Sequence, residues 1–271
     1  AWRLGVQRWA IARKDWTAPP LKLAILSDLH LGEPHVGLGR LRQVVRRTQA
    51  LDADLVLLLG DFSASHGFVT KPVPLPDAMA ELGRLKAPHG VFAVRGNLDW
   101  WDDIDAQQRG GGPNIYAQAL AAAGVRVLSN QAIKLESAGL WLAGLEDQLA
   151  LRGFGRRAGL DDLPATMAQV ADDGAPCILM AHEPDIFPKV PGRVALTLSG
   201  HTHGGQVRRF GWSPVVPSKS GNRYAYGHVH ERGRDLVISG GIGCSIAPVR
   251  FGVRPEITLV EISAPAAGQR G

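Results

Sequence analysis

Aspartate, asparagine and histidine side chains recur along this chain in short clusters, each directly after an apolar run. The clusters, in chain order, are Asp28-Leu29-His30, Gly60-Asp61, Gly96-Asn97-Leu98-Asp99, His182, and Gly200-His201-Thr202-His203. Carboxylate and imidazole groups suit Mn, Fe and Zn, whereas softer metals prefer thiolates. The clusters therefore predict a site for divalent metal ions.

The spacing of the ligands favours two ions. Asp28 and His30 are two residues apart, so on an extended chain their side chains point the same way, and His201 and His203 repeat that geometry. With one bridging aspartate and an asparagine oxygen, such a set could hold two ions about 3.5–4 Å apart. A pair of ions at this distance polarises a phosphoryl group and lowers the pKa of a bridging water.

The apolar runs before the first clusters predict strands that position these ligands. Residues 21–26, 55–59 and 91–94 are predicted as buried strands, and amphipathic patterns predict helices at 38–50, 77–86 and 116–123. This alternation indicates βαβ units and a sheet that is buried on both faces. The carboxyl ends of strands in open α/β sheets are where ligand sites form.

The second half of the chain differs from the first. Its apolar runs are short, with turns between them and one predicted helix at 162–172. The predicted strands are 132–135, 140–145, 177–181, 195–199, 206–208, 235–239 and 257–262. We therefore expect an α/β half and a strand-rich half, packed together as one sandwich.

The ordered set D-x-H, G-D, G-N-x-D, H and G-H-x-H resembles the calcineurin-like metallophosphoesterase superfamily, over about residues 22–262. The strings S-D-L-H-L-G at 27–32 and G-H-T-H-G-G-Q at 200–206 are similar to its bacterial branch, which is often membrane-anchored and acts on phosphodiesters. The resemblance implies an α/β fold, a four-layer αββα sandwich of two mixed sheets flanked by helices.

The resemblance also assigns the ligands. Asp28, His30 and His203 would bind one ion, Asn97, His182 and His201 a second, and Asp61 both. Manganese is expected, with iron or zinc as alternatives. A metal-bound hydroxide would then hydrolyse a phosphodiester or pyrophosphate bond. The catalytic residues that follow from this are Asp28, Asp61, Asn97, Asp99 and His182.

Leu98 departs from the family pattern, which has histidine at this position to assist the leaving oxygen. Leucine cannot donate a proton, and three interpretations stay open. Catalysis is lost, leaving a metal-holding binding module; another side chain substitutes, with His66, Arg95 and His35 as candidates; or the leaving group needs no acid. A phosphoryl leaving group is a weak base and would fit the third interpretation.

The family's lipid A pyrophosphatases, which cut UDP-2,3-diacylglucosamine, also depart from histidine here. We therefore expect a lipid or nucleotide–lipid substrate, with phosphomonoester or phosphoprotein hydrolysis as the alternative. His66 and Arg95 are the candidate substrate-binding residues, although Arg95 could equally be a surface charge at a strand end. Asp99 is expected to orient the Asn97 loop. His228 and His230 alternate on a predicted strand, where they either contact substrate or line an exposed face.

Composition restricts the partners. The net charge of +5 favours anionic partners, but the basic residues are scattered, so we expect no nucleic-acid partner. Cys177 and Cys244 alone exclude a disulfide framework and a cysteine-rich zinc site. We expect a monomer that acts on a phosphorylated small molecule or lipid.

The first twenty residues form a Trp- and Arg-rich segment, with Trp2, Trp9 and Trp16 spaced seven apart. This spacing is typical of an interfacial membrane helix, or else the tryptophans pack against the domain. We expect a metallophosphoesterase domain at 21–263, a disordered tail at 264–271, and peripheral or N-terminally anchored membrane association at the cytoplasmic face. No run approaches the roughly 20 apolar residues of a membrane span.

Overall fold

Two six-stranded sheets packed face to face position the predicted ligands in the computed structural model, which describes residues 3–153 and 157–265. Trp2 and residues 266–271 of the predicted tail lie outside this range. The strands are β1 Gly5–Ala12, β2 Leu21–Leu26, β3 Gly32–Glu33, β4 Leu55–Leu58, β5 Lys71–Pro72, β6 Val91–Ala93, β7 Arg126–Val127, β8 Gln131–Leu135, β9 Leu140–Gly144, β10 Leu151–Arg152, β11 Arg157–Ala158, β12 Cys177–Met180, β13 Val194–Ser199, β14 Gly227–Glu231, β15 Arg234–Ile238 and β16 Glu256–Ser263. The helices are α1 Leu38–Gln49, α2 Leu75–Leu82, α3 Asn97–Trp101, α4 Ile104–Arg109, α5 Ile115–Ala122 and α6 Leu163–Ala168.

The first sheet has the strand order β1-β16-β2-β4-β6-β7. β2, β4, β6 and β7 are parallel, and β16 is antiparallel to β2. The second sheet has the order β14-β15-β13-β12-β9-β8, with a parallel centre and one antiparallel strand at each edge. Both sheets are therefore mixed, as expected.

Three apolar clusters separate the layers. The middle cluster joins the two sheets, through residues such as Leu57 of β4 and Leu196 of β13. The first sheet buries its other face against α1, α2 and α5, with Leu41 and Leu120 fully buried there. The second sheet packs against α6 and a 3-10 helix at Pro184–Lys189. The four-layer αββα sandwich is confirmed.

Gly5–Ala12 forms a strand, so the interpretation of this segment as an interfacial helix is wrong. β1 pairs in parallel with β16 over its whole length, and its burial alternates from residue to residue. Trp9 packs against the core between the sheets, and Trp16 is buried there. The alternative interpretation, in which these tryptophans pack against the domain, holds for both. Among the described residues, none of the helices has the length and apolar character needed to cross a bilayer.

Candidate active site

The site lies where the carboxyl ends of strands from both sheets meet. From the first sheet, Asp28 and His30 follow β2, Asp61 follows β4, and Asn97 begins the helix after β6. The second sheet supplies His182 after β12, together with His201 and His203 after β13. The side chains of these seven residues, called the metal cluster below, are at most 8% exposed.

Five members of the metal cluster have left-handed backbone, which is uncommon for residues other than glycine. Their φ angles are 53° at Asp28, 42° at His30, 55° at Asp61, 66° at His201 and 51° at His203. Each such residue costs about 1–3 kcal/mol, and such conformations concentrate at functional sites. The chain thus tolerates backbone strain at the residues that carry the ligand atoms.

One half of the metal cluster contains Asp28, His30 and His203. The Nε2 atoms of the two histidines lie 2.9 Å apart, and Nε2 of His203 is 3.3 Å from Oδ1 of Asp28. The ligand atoms of the three residues all lie within 4.8 Å of one another. Their nitrogens and carboxylate oxygen therefore converge on one point, as ligands of a single cation would.

Asp61 connects this half to the other. Its Oδ2 atom is 3.6 Å from Nε2 of His30 and 3.4 Å from Nε2 of His182. Asp61, His182 and His201 form a second group whose ligand atoms lie within 4.8 Å of one another. One carboxylate oxygen thus faces histidines of both halves.

The second half has buried polar atoms without hydrogen-bond partners among the described residues. These atoms are Oδ1 of Asn97, Nε2 of His182 and Nδ1 of His201. Buried polar groups are nearly always paired, so three orphans at one place need an explanation. An amide oxygen and two imidazole nitrogens fit a divalent cation of the Mn, Fe or Zn type. The residues present therefore fit the metal ions that the sequence predicts.

Neighbouring groups orient these ligands. His182 donates its Nδ1–H to the carbonyl of Leu59 at 2.5 Å, which leaves the Nε2 lone pair for a cation. Ser27 donates to Oδ2 of Asp28 at 2.6 Å, and the backbone N–H of His201 donates to the same carboxylate. Arg250 lies 3.0 Å from Nδ1 of His203 and also donates to backbone carbonyls at Gly240 and Gly243.

Asp99 is fully buried and holds the loops that carry Asp61 and Asn97. Its carboxylate accepts backbone N–H groups from Asp61 at 2.9 Å, Phe62 at 2.9 Å and Gly96 at 2.8 Å. Burial, and then the charge of Asp61, raises the pKa of Asp99 to about 7. This placement agrees with the expected orienting role.

Burial and neighbouring charges set the protonation of the ligands. Burial lowers the pKa of His203 well below its usual value, and His30 and Arg250 lower it further. Burial also lowers the pKa of His30. For Asp61, burial is outweighed by the histidines around it, of which His182 is first, and its pKa is lowered. Neutral imidazoles and ionised carboxylates are the forms that bind metal, which suits His203, His30 and Asp61. At His182 burial is outweighed by the charge of Asp61, and its pKa is raised well above the usual value.

Arg95 is neither a surface charge nor an available phosphate clamp. It is 5% exposed, and its guanidinium pairs with Glu146, donates to Ser129 at 2.9 Å and stacks on Trp100 at 4.3 Å. Its charge is thus committed within the protein. His66 lies on the loop after β4, where its Nδ1 accepts the N–H of Phe68, and its ring is 5.9 Å from that of His35.

Leu98 is half-buried at the edge of the metal cluster, and its backbone N–H donates to Oδ1 of Asp61 at 2.9 Å. An apolar cleft of about 270 Å³ is lined in part by His203 and Thr202. Its walls include Val207, Val215 and Ile246. The sequence did not indicate a role for Arg250, and it predicted a strand at 206–208, where the structure has only isolated bridges.

His228 and His230 lie away from the metal cluster, on β14. Nε2 of His228 is 2.7 Å from Oδ1 of Asp235, and Nδ1 of His230 is 2.9 Å from the same oxygen. Arg13 donates to the other oxygen at 2.5 Å. These four residues are called the Asp235 cluster below. Both histidines therefore form hydrogen bonds with a buried carboxylate.

Comparison with known proteins agrees with this geometry. The calcineurin-like phosphoesterase family matches residues 21–232. This chain belongs to that family. It is accordingly a metallophosphoesterase, a hydrolase of phosphoric esters, and it has groups of buried side chains that could hold a metal ion.

Relatives of this metallophosphoesterase come from bacteria and animals. It is 28% identical to the uncharacterized metallophosphoesterase YkuE of Bacillus subtilis (strain 168), over 90% of this chain and 79% of that protein. It is 29% identical to a Bos taurus transmembrane protein with metallophosphoesterase domain, over 90% of this chain and 53% of that protein. The chain thus spans about half the length of the bovine protein. A crystal structure of the Pseudomonas putida nuclease MPE matches with a TM-score of 0.36 and 17% identity, over 91% of this chain and 80% of that one.

Proposed function

We propose that this metallophosphoesterase uses two divalent metal ions to hydrolyse a phosphodiester or pyrophosphate bond in a lipid or nucleotide–lipid substrate. The observation that carries the dinuclear part is the position of Asp61, whose Oδ2 faces His30 and His182 at 3.6 and 3.4 Å. Asp28, His30 and His203 would hold one ion, and Asn97, His182 and His201 the other. When bound, such ions polarise the phosphoryl group and activate water.

The protein's own residues would contribute orientation. Asp99 fixes the two loops that carry Asp61 and Asn97, and the hydrogen bond from His182 to Leu59 fixes which ring nitrogen faces the site. Burial of the metal cluster keeps bulk water away from the ligand side chains and strengthens the electrostatic interactions there.

The type of leaving group is inferred from Leu98. No proton donor stands at this position, and Arg95, one candidate replacement, is committed to Glu146. General acid catalysis matters least when the leaving group is a weak base, such as a phosphoryl or aryl oxygen. This supports a pyrophosphate bond over an alkyl phosphoester. The apolar cleft that is lined in part by His203 supports a substrate with acyl chains, such as UDP-2,3-diacylglucosamine.

The test is hydrolysis of bis-(p-nitrophenyl) phosphate by protein that has been stripped of metal and resupplied with Mn²⁺, beside an Asp61→Ala variant. We expect activity that Mn²⁺ restores in the wild type and not in the variant. Absence of activity with any metal, while metal still binds, would instead favour the binding-module alternative that Leu98 raises. UDP-2,3-diacylglucosamine and a dialkyl phosphate are then compared, and preference for the dialkyl phosphate would overturn the pyrophosphate assignment.

A further inference from the structure

Large apolar side chains are exposed together beside the metal cluster. Among the described residues, eleven large apolar side chains are exposed, and seven of them belong to two segments, 207–215 and 246–251. We call these seven the apolar rim: Val207, Phe210, Trp212, Val215, Ile246, Val249 and Phe251. Phe210 is 92% exposed and Ile246 77%. Soluble proteins rarely expose contiguous apolar patches without an interaction to explain them.

The two segments of the apolar rim are joined by backbone hydrogen bonds. The N–H of Arg208 donates to the carbonyl of Phe251 at 2.7 Å, and the N–H of Phe251 donates to that of Gln206 at 2.8 Å. The side chain of Gln206 accepts from Ser245 at 2.6 Å and donates to Ala247 at 3.1 Å. The exposed side chains therefore stand on a hydrogen-bonded scaffold.

Gly252 shows how closely the segments approach. Its φ is +75°, and a Cβ atom there would lie 1.8 Å from the carbonyl oxygen of Arg208. Only glycine fits such an approach. Ser213, between Trp212 and Val215, is tied to Asn222 by two hydrogen bonds of 2.8 Å. This region of the sequence thus specifies a scaffold that holds apolar groups in solvent.

The apolar rim is continuous with the active site. Val207, Val215, Ile246 and Val249 line the same cleft of about 270 Å³ that His203 lines. An acyl chain on the rim would therefore extend from a phosphate held at the metal cluster.

The two sequence segments that carry the rim contain basic residues and no acidic ones. No aspartate or glutamate occurs at positions 186–230 or 236–255. Arg209, Lys219 and Arg254 are exposed there, and the guanidinium of Arg209 lies 4.8 Å over the ring of Phe210. Apolar side chains with cationic neighbours are the composition that binds anionic bilayer surfaces.

We infer that the apolar rim docks the protein on the surface of a bilayer that contains anionic lipid. Phe210, Trp212 and Ile246 enter the interface, and Arg209, Lys219 and Arg254 meet the headgroups. Docking places the mouth of the cleft against the membrane, so a lipid reaches His203 without leaving the bilayer. This consequence rests on the lipid substrate proposed above, whereas vesicle binding itself needs no turnover.

The experiment is co-sedimentation of the full chain with vesicles of phosphatidylcholine alone and of phosphatidylcholine with 30% phosphatidylglycerol. We expect binding to the anionic vesicles, and a Phe210→Ser/Ile246→Ser variant should bind about tenfold more weakly or worse, since two side chains that would enter the bilayer are lost. The matched control is Ile104→Ser/Ile115→Ser, which removes two exposed isoleucines from α4 and α5. This control should bind like the wild type. Arg209→Glu should reduce the preference for anionic vesicles.

Equal loss of binding in both double variants would overturn the inference, and so would an absence of binding by the wild type. A concentration-dependent dimer that only the rim variant abolishes would assign the surface to a second copy of the chain instead. Hydrolysis of bis-(p-nitrophenyl) phosphate in solution is measured on the same samples. Vesicle binding without hydrolysis would refute the proposed function alone, and hydrolysis without binding would refute the docking face alone.

Discussion

The metal cluster and the Asp235 cluster contain the same kinds of residue and differ in how these are paired. Each combines buried aspartate with histidine and a nearby arginine. In the Asp235 cluster both carboxylate oxygens are satisfied, one by His228 and His230 and the other by Arg13. In the metal cluster Asn97, His182 and His201 keep buried atoms without partners, and the backbone is strained.

This difference separates a structural cluster from a functional one. Arg13 follows β1 and Asp235 lies on β15, so the Asp235 cluster ties the first sheet to the second. Its hydrogen bonds stabilise the fold. The metal cluster costs stability, because orphaned polar atoms and left-handed residues are unfavourable until something binds there. Substitutions in the metal cluster should therefore lower activity with little loss of stability, and substitutions in the Asp235 cluster should lower stability with little loss of activity.

The largest expected effect is on the rate of catalysis, when the same substitution is made in one histidine of each cluster and the two variants are compared. His182→Gln should lower the metal-dependent hydrolysis of bis-(p-nitrophenyl) phosphate by about a thousandfold, because it removes a ligand nitrogen at the site of charge development. His228→Gln, the matched change in the Asp235 cluster, should leave the rate unchanged. Steady-state rates at saturating Mn²⁺ test this, and equal losses in both variants would erase the distinction between the clusters.

Stability should respond in the opposite sense. Asp235→Asn leaves Arg13 partly unpaired in a buried place, and we expect a loss of about 3 kcal/mol in the free energy of unfolding. Asn97→Ala in the metal cluster removes an orphaned oxygen and should cost far less. Urea unfolding of metal-stripped protein measures both, and a larger loss in Asn97→Ala would contradict the interpretation.

Acid should weaken the Asp235 cluster. Burial raises the pKa of Asp235, but hydrogen bonds from His228, His230 and Arg13 outweigh it and hold the pKa below its usual range. A depressed folded-state pKa stabilises the protein above the unfolded value of about 4, and this contribution is lost as the pH falls below it. The difference in unfolding free energy between wild type and Asp235→Asn should therefore shrink from pH 6 to pH 3. A constant difference would show that the carboxylate charge contributes nothing.

The smallest effect concerns the leaving group. Leu98→His returns a proton donor to the edge of the metal cluster, and we expect about a tenfold gain on an alkyl phosphodiester, whose leaving oxygen needs protonation. Bis-(p-nitrophenyl) phosphate should show little change, since its leaving group is a weak base. The ratio of the two rates is the measurement, and a gain of the same size on both substrates would refute this account of Leu98.

Hydrophobic patterns in the sequence predicted the fold correctly where elements that follow each other along the chain also lie next to each other in the structure. The alternation of strands and helices in residues 21–128 involves parallel strands linked by short crossovers, and the ligands follow strand ends that share one edge. The N-terminal segment is the counterexample. Trp2, Val6 and Trp9 fit a helical period, yet Trp9 and Ile11 also alternate as in a strand. The partner that decides between the two periods, β16, lies at the far end of the chain.

Side-chain partners distant in sequence also escaped prediction. The pairing of Arg95 with Glu146 needs β6 beside the loop after β9, which the sequence does not reveal. Residues 206–208, Gln-Val-Arg, indicated a short strand, because the sequence does not show whether Val207 is buried in a sheet or exposed to solvent. In the structure Val207 is exposed, and it is joined to Phe251 and Gly252 only by isolated bridges.

The place of β16 has a consequence for how the protein is made. β1 pairs only with β16 in the first sheet, and β16 itself lies between β1 and β2. On the ribosome, the first strand therefore has no partner until the last has emerged, and Val260 and Ile262 close the core around Ile11 and Trp16 only then. Contacts this distant in sequence slow folding and leave apolar strands exposed to aggregation. Trp9 and Trp16 thus stay unprotected until β16 has been synthesised.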